Sequence, residues 1–313
     1  MVQALTNIAR RKEFTVTSIK MHADEVDINS NLVRRLIRSQ FPEWADLKVV
    51  SVPFRGTDNA LYRLGSDMVI RLPRRDQSAG RLEKERIWLP KLAPLLPLAV
   101  PAALAAGKPG EGYPFDWAIY RWLEGEPGTS ARIDADQAAT DLATFIATLQ
   151  RVDLTGGPPP GEHNAWRGVP LAARDQAVRS AIASLGAAID AHAVTAVWQA
   201  GLSARDWERA AVWIHGDLDS RNVLAKEGRL TAVIDFGCLG VGDPACDVMV
   251  AWKMFSARSR DTFLTALAVD EATRARARGW VLSQALIALA YYTMETNPVL
   301  VRESHRWIAE VLS

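Results

Sequence analysis

The chain has 313 residues, of which 49% are hydrophobic and 23% charged, and its 37 basic and 36 acidic side chains leave a net charge of +1. This composition predicts a soluble globular protein with a large buried core, in one large domain or two lobes. The near-zero net charge argues against a protein that binds nucleic acid by neutralising phosphates over a broad surface.

The first 20 residues are basic but lack the apolar core of a secretory signal, so we interpret residues 1–20 as an N-terminal extension. No stretch approaches the length of about 18 apolar residues that a membrane span needs. The two cysteines, Cys238 and Cys246, do not lie in a metal-ligand pattern. We therefore expect a cytoplasmic monomer or homodimer with reduced cysteines, and neither a membrane nor a nucleic-acid partner.

The first half of the chain reads as a β-rich lobe. Apolar spacing after Asn29 predicts an amphipathic helix that ends near Pro42, with Ser30 or Asn31 as its cap. Short segments rich in β-branched and aromatic residues, separated by turn residues, then predict an antiparallel sheet of about five strands with one helix against it. The predicted strands are 48–54, 60–64, 67–72, 100–106 and 116–123, and the predicted helix lies within 78–97.

A polar turn at residues 55–59, between the first two strands, includes Gly56, Thr57 and Asn59. Its backbone N–H groups could face an anion. With one glycine it is neither a Walker loop nor a kinase glycine-rich loop, and an ordinary hairpin turn is the alternative.

Arg71 alternates with apolar neighbours within a predicted strand, so it lies on the face opposite to Ile70 and Leu72. A cation inside a strand needs a partner. Glu85 or Glu83 of the following helix could supply it, and the alternative is that all these charges are simply solvated.

The second half begins at a Gly and Pro rich break, residues 124–128, which directly follows a predicted strand. We place a lobe boundary there, with a β-rich N-terminal lobe at 21–123 and a helical C-terminal lobe at 124–313. Apolar periodicity predicts helices over 134–151, 170–200 and 203–211.

The stretch from Val212 to Gly237 places polar groups among short buried strands. Its hairpin, residues 222–225 and 230–235 with a turn at Glu227-Gly228, brings Asn222 beside Asp235. Amide and carboxylate oxygens together suit Mg²⁺ better than Zn²⁺. Asp217 is displaced from that pocket by one loop and is free to accept a proton from a substrate hydroxyl.

The same stretch resembles the catalytic elements of protein kinases. HGDLDSRN, from His215 to Asn222, fits H-x-D-x-x-x-x-N, and the triplet at 235–237 fits D-F-G. With HGDL in place of HRDL, the chain resembles the aminoglycoside phosphotransferase family over roughly residues 30 to 300. Further matches are VIRLPRR, AIYRWLEGE and GDPACD. The resemblance implies an α+β class and a bilobal protein-kinase-like fold, with a β-rich N-lobe carrying one helix and a mainly helical C-lobe.

The resemblance also implies roles for individual residues. Asp217 corresponds to the catalytic base, and Asn222 and Asp235 to the Mg²⁺ ligands. Arg71 takes the place of the usual strand lysine, contacting phosphates and pairing with Glu85, although arginine departs from the best-known members and is not equivalent to lysine.

Other implied roles concern the nucleotide and the loop. The backbone from Arg121 to Leu123 would hold the adenine, and the 55–59 turn would cover the phosphates. His215 is expected to shape the loop by hydrogen-bonding the backbone, Asp247 to brace it, and Asp243 to cap a helix.

The implied activity is transfer of the γ-phosphate of ATP or GTP, with Mg²⁺, to a hydroxyl of a small molecule, most simply an aminoglycoside-type antibiotic. Arg221 could contact the substrate or form a structural salt bridge. A cationic substrate would need an acidic cleft, and the candidates are Glu124, Glu126, Asp175, Glu295 and Glu303. The alternatives are a macrolide or metabolite kinase, a non-catalytic nucleotide-binding protein, and a metal-dependent hydrolase.

Overall fold

A computed structural model describes residues 24–52, 58–129 and 132–313, without the side chains of residues 77–80. The predicted extension at residues 1–20 lies outside the described residues. So do three residues of the turn expected to cover the phosphates, Arg55, Gly56 and Thr57. In the described ranges, no helix is both long enough and apolar enough to cross a membrane.

The N-terminal part contains an antiparallel sheet, as predicted. Its strands run in the order β1-β2-β3-β5-β4. Gly65, with φ +62°, makes the turn between β2 and β3, where a left-handed conformation favours glycine. The strand bounds are β1 (Val49–Ser51), β2 (Asn59–Leu64), β3 (Met68–Pro73), β4 (Ala103–Gly107) and β5 (Trp117–Arg121).

Each face of this sheet carries a helix because alternate side chains of β3 point to opposite sides. Helix α1 (Ser30–Gln40) packs on the face that includes Ile70, and helix α2 (Asp76–Leu92) on the face that includes Val69. The cap of α1 is Asn29 rather than Ser30 or Asn31, since its side chain accepts from two backbone N–H groups of the first turn.

The C-terminal part is mainly helical. Helix α9 lies at its centre and packs against α4, α5, α6 and α10, burying Trp198, Trp280 and Trp307. The helices are α3 (Ala135–Gln150), α4 (Asp175–Leu185), α5 (Ala191–Ser203), α6 (Ala245–Val248), α7 (Val250–Met254), α8 (Ala257–Ala266), α9 (Glu271–Tyr291) and α10 (Pro298–Leu312).

The helix predicted over 203–211 is wrong, because α5 ends at Ser203 and the following residues are irregular. Two side chains donate to backbone carbonyls of this segment. Trp207 Nε1 donates to the carbonyl of Ala210 at 2.8 Å, and Arg276 donates to the carbonyl of Arg205. The helix predicted over 170–200 is also divided, with Gly186 ending α4 at φ +50°.

Short strands between the helices carry the stretch that the sequence singles out. They are β6 (Glu126–Pro127), β7 (Val212–Ile214), β8 (Val223–Lys226), β9 (Arg229–Val233) and β10 (Gly240–Gly242). β8 and β9 form the predicted hairpin, and β7 pairs with β10. Glu227 and Gly228 have φ +52° and +83°, as the turn of a two-residue hairpin requires. The hairpin therefore has Asn222 at one root and Asp235 at the other.

Candidate active site

The loop between β7 and β8 is fixed through its main chain. Asp247, fully buried, accepts hydrogen bonds from the backbone N–H groups of His215 and Gly216 at 2.8 and 2.7 Å. The predicted bracing by Asp247 is confirmed. Burial raises the pKa of this carboxyl group, and the two N–H donors oppose that rise.

His215 shapes the loop from inside, as predicted. Its Nε2 lies 3.0 Å from the carbonyl of Ile234, and its Nδ1 lies 3.2 Å from the backbone nitrogen of Asp217. These partners assign the proton to Nε2, so that Nδ1 accepts. Both ring nitrogens are therefore used to hold the backbone, and neither is free for chemistry.

Gly216 turns the chain toward Asp217. Its φ is +84°, and a Cβ there would lie 2.6 Å from the carbonyl oxygen of Cys238. A side chain at this position would force the loop away from residues 237–239, so only glycine fits.

Asp217 and Asn222 meet at the end of this loop. Asn222 Nδ2 donates to the backbone carbonyl of Asp217 at 2.8 Å and lies 3.4 Å from its Oδ2. The side chain of Asp217 is 31% exposed, and the nearest cation, Arg167, has Nη2 3.8 Å from Oδ1. The backbone of Asp217 is thus fixed while its carboxylate remains accessible to a ligand.

Arg221 belongs to a buried ion cluster. Its Nε donates to Asp219 Oδ1 at 3.0 Å, and Lys253 Nζ lies 3.4 Å from Asp219 Oδ2. Burial opposes ionisation of Asp219, yet Arg221 and then Lys253 hold its pKa well below the usual range. The salt-bridge alternative for Arg221 is confirmed, and its contact with a substrate stays a prediction.

Asp235, at the other root of the hairpin, adopts a left-handed backbone with φ 62° and ψ 65°. Such a conformation in a non-glycine residue costs about 1 kcal/mol and is common at functional sites. The side chain is 45% exposed and accepts from Arg71 Nη2 at 2.9 Å. The strained residue therefore presents its carboxylate to the same cavity as Asn222.

Arg71 pairs with Glu85, and not with Glu83. Its Nη1 lies 2.7 Å from each oxygen of Glu85, to which the hydroxyl of Tyr120 also donates at 2.8 Å. Glu83 instead pairs with Arg86 on the surface. The Arg71–Glu85 pair predicted from the sequence is thus confirmed, with Tyr120 as a partner that the sequence does not reveal.

Asn59 completes the surroundings of Arg71. With its amide oxygen turned toward the guanidinium, it accepts from Nη2 and Nε at 3.1 Å each. Arg71 thus has polar partners on three sides, and burial is offset by the carboxylates, which raise its pKa.

A cavity of about 280 Å³ brings most of the predicted residues together. It is lined by residues expected to contact nucleotide, metal or substrate: Asn59, Arg71, Arg121, Leu123, Arg221, Asn222 and Asp235. Apolar walls are supplied by Leu61, Val69 and Leu224. Glu85 lies behind Arg71, and Glu295 lies in an exposed turn after α9.

The sequence did not single out Arg81 and Lys84 of α2, which contact the site from behind. Arg81 pairs with Asp58. Lys84 Nζ donates to the carbonyl of Gly237 at 2.9 Å and lies 3.0 Å from His163 Nδ1. Burial lowers the pKa of Lys84 to about 8. A charge-rich helix gives no sequence signal for which of its charges turn inward.

The donor atoms at the hairpin suit a hard cation. The described residues contain no cluster of three or more His, Cys, Asp or Glu side chains that could hold a metal. Mg²⁺ bound with a nucleotide needs no such cluster, because phosphates and water supply most of its ligands. Since Asn222 Nδ2 is held by a carbonyl, its Oδ1 is the atom available beside the carboxylate of Asp235.

Solved structures of known proteins share the fold of this chain. The GDP complex of aminoglycoside 2′-phosphotransferase-IIIa has a TM-score of 0.71 and 20% identity, over 90% of this chain and 99% of that one. Macrolide 2′-phosphotransferase from Brachybacterium faecium has a TM-score of 0.61 and 25% identity, over 88% and 98%. The ADP-bound aminoglycoside phosphotransferase APH(2″)-Ib has a TM-score of 0.58 and 16% identity, over 91% and 97%.

These likenesses confirm the predicted kinase-like fold, with its antiparallel sheet and helical C-terminal part. Among curated protein sequences, none matches the chain. A model of the phosphotransferase enzyme family matches residues 51–280, well over half of the chain. The chain therefore belongs to the phosphotransferase enzyme family.

Proposed function

We propose that this enzyme transfers the γ-phosphoryl group of ATP or GTP, with Mg²⁺, to a hydroxyl group of a small molecule. The observation that carries the proposal is the loop that fixes Asp217 with its carboxylate accessible, beside a hairpin with Asn222 and Asp235 at its roots. Phosphoryl transfer needs a positioned base and neutralisation of phosphate charge, and little more from the protein.

In this reaction Asp217 accepts the proton of the acceptor hydroxyl. The hydroxyl oxygen forms a bond to the γ-phosphorus while the bond from that phosphorus to the β–γ bridging oxygen breaks, leaving a nucleoside diphosphate. Asn222 and Asp235 would hold Mg²⁺, which neutralises phosphate charge. Arg71, oriented by Glu85, adds a fixed positive charge on the nucleotide side.

The nucleotide site is proposed to lie in the cavity described above. The backbone of residues 121–123 would hold the base, and the turn that includes Gly56, Thr57 and Asn59 would cover the phosphates. In this proposal residues 21–123 are the nucleotide lobe and residues 124–313 carry the acceptor. Similar structures that contain GDP or ADP support a nucleoside triphosphate as the donor without choosing between the bases.

An aminoglycoside-type antibiotic is the first acceptor to test, by analogy with enzymes of the same fold. A macrolide is the second acceptor to test. The macrolide phosphotransferase has 25% identity to this chain, against 20% for the aminoglycoside enzyme, but its TM-score is lower, 0.61 against 0.71. Glu295 is exposed and remains a proposed contact for a cationic acceptor, as does Arg221 for a polar one.

The test is phosphoryl transfer from radiolabelled ATP and GTP to aminoglycosides, macrolides and hydroxylated metabolites, measured with and without Mg²⁺. Asp217→Asn should lower kcat by at least about 100-fold, because it removes the general base. The affinity for nucleotide should stay within about twofold of the wild type, since Asp217 does not line the cavity.

Other outcomes would point to other functions. A large loss of nucleotide affinity in Asp217→Asn would assign this residue to the metal. Tight nucleotide binding without transfer to any acceptor would favour a non-catalytic nucleotide-binding protein. Hydrolysis that needs a metal but no nucleotide would favour a metal-dependent hydrolase.

A further inference from the structure

Two arginines lie near Trp280 and do not line the nucleotide cavity. The guanidinium carbons of Arg167 and Arg174 lie 6.0 and 5.9 Å from the ring centroid of this tryptophan. Arg167 also lies beside the proposed base, with its Nη2 3.8 Å from Asp217 Oδ1. One indole thus has two positive charges near it, and we call Arg167 and Arg174 the arginine pair.

The charge of the arginine pair is not balanced by the protein. Arg174 Nε donates to the hydroxyl of Ser283 at 3.2 Å, and in the described part of the chain Arg174 contacts no carboxylate. The adjacent Asp175 is engaged elsewhere, since it accepts from Arg179 at 2.9 Å and from Trp198 at 2.7 Å.

Arg167 is also incompletely partnered. Its one carboxylate contact among the described residues, Asp217, is at the long end of an ion pair, and its buried Nε has no hydrogen-bond partner there. Burial, and then the charge of Arg167, lower the pKa of Arg174. Two like charges near one indole, with a single carboxylate contact among the described residues, would be stabilised by a further negative group.

The segment that presents Arg167 is rigid. Asn164, fully buried, accepts from the backbone N–H of Arg167 and donates to its carbonyl, each at 3.1 Å. Ala165 and Trp166 have φ +52° and +58°. Left-handed backbone in such residues costs roughly 1 kcal/mol each and is retained mainly where function requires it. The guanidinium of Arg167 is therefore carried by a fixed segment.

We propose that the arginine pair is an oxyanion-binding site for the reaction at Asp217, which takes a phosphate or carboxylate group next to the hydroxyl that this residue deprotonates. The guanidinium fork matches the oxygens of either group. This inference rests on the proposed phosphotransferase function. The oxyanion is either the phosphoryl group in transfer or an anionic group of the acceptor.

The probe is inorganic phosphate, titrated by calorimetry and tryptophan fluorescence into the full chain saturated with Mg²⁺ and ADP or GDP. The diphosphate fills the nucleotide cavity, so that added phosphate reports on the remaining oxyanion site. We expect the wild type to bind phosphate and Arg174→Gln to bind it at least about tenfold more weakly, the loss of about one charge-assisted hydrogen bond.

Two variants control this measurement. Arg179→Gln removes the same charge from an exposed arginine that has its own carboxylate partner, and it should bind phosphate as the wild type does. Arg174→Lys keeps the charge but loses the fork, and it should bind with intermediate affinity. The inference is overturned if the wild type does not bind phosphate, or if Arg174→Gln binds it as tightly as the wild type.

Steady-state kinetics of Arg174→Gln distinguish the two sources of the oxyanion. A fall in kcat for every acceptor, with KM unchanged, assigns the site to the phosphoryl group in transfer. A rise in KM confined to acceptors with a carboxylate or phosphate assigns it to the acceptor. Unchanged kcat and KM for all acceptors would overturn the inference, whereas absence of any transfer would overturn the proposed function and leave the phosphate titration to be judged separately.

Discussion

On the proposed nucleotide side of the site, Arg71 contacts two carboxylates, Glu85 and Asp235, whereas among the described residues the arginine pair has a single carboxylate contact, from Arg167 to Asp217. The positive charge of Arg71 is neutralised by carboxylates of the protein, and these contacts hold α2 against the hairpin. The positive charge of the arginine pair is not fully neutralised. The comparison separates charges with a structural role from charges that a ligand would neutralise, because a buried cation without an anion is costly in the free protein.

The balanced side can be broken by removing one carboxylate. Glu85→Leu should lower the free energy of unfolding by about 3 kcal/mol or more, because the guanidinium of Arg71 and the hydroxyl of Tyr120 lose a buried acceptor. Urea unfolding measures this effect. Glu83→Gln is the matched control: it lies on the same helix and pairs on the surface, so its effect should stay within about 0.5 kcal/mol. An equal decrease in the free energy of unfolding for the two variants would show that the buried pair contributes no more to stability than the surface pair.

Asp235, the second carboxylate that contacts Arg71, is also a proposed ligand of the metal. Asp235→Ala should weaken Mg²⁺-dependent nucleotide binding roughly 100-fold or more, about 2.7 kcal/mol, because it removes a proposed ligand and leaves Arg71 partly unpaired. Titration calorimetry with and without Mg²⁺ measures the change. Asp116→Asn, which removes a half-exposed carboxylate outside the cavity lining, is a control for charge removal alone. Magnesium dependence retained in Asp235→Ala would rule out its role as a ligand.

Lys84 of α2 contacts Gly237, which is close in sequence to Asp235, and His163, which is close in sequence to Arg167. Its ionisation therefore gives a further test of how charges are neutralised around the site. Its pKa is lowered to about 8 by burial, whereas an unfolded lysine titrates near 10.5. Between these values the unfolded chain binds a proton that the folded chain has released, so this group makes the folded state more stable as pH rises from about 8 to 10. The advantage of the wild type over Lys84→Met in free energy of unfolding should therefore grow by about 2 kcal/mol across that range. Denaturation at pH 7, 8.5 and 10 checks it, and a difference that is constant with pH would contradict the assignment.

The main features of the site were predictable because they are close in sequence. Asp217 and Asn222 are held by a short loop, and the hairpin turn at Glu227-Gly228 sets the position of Asp235 by its own backbone chemistry. The sequence leaves two glutamates, Glu83 and Glu85, as the possible partners of Arg71. Only the packing of α2 decides between them, since the inward face of that helix turns Glu85 toward β3.

Contacts between residues distant in sequence could not be predicted. Lys84 reaches the carbonyl of Gly237 across 153 positions of the chain, and no local pattern marks it. Arg167 lies in an irregular Gly and Pro rich segment, where periodicity gives no information on side-chain direction. The false helix over residues 203–211 has the same origin, since Arg276 comes from α9 to take a carbonyl of that segment.

The guanidinium of Arg71 has one more consequence, for how parts of the protein respond to one another. It joins Glu85 of α2 to Asp235, so the position of this helix and the occupancy of the proposed metal site share one side chain. By thermodynamic reciprocity, a displacement of α2 that weakens nucleotide binding implies that nucleotide binding restrains α2 by the same free energy. Backbone amides of α2 should then exchange hydrogen more slowly once Mg²⁺ and nucleotide are bound. The exchange rate of this helix would therefore report on the fraction of protein that has ligand bound.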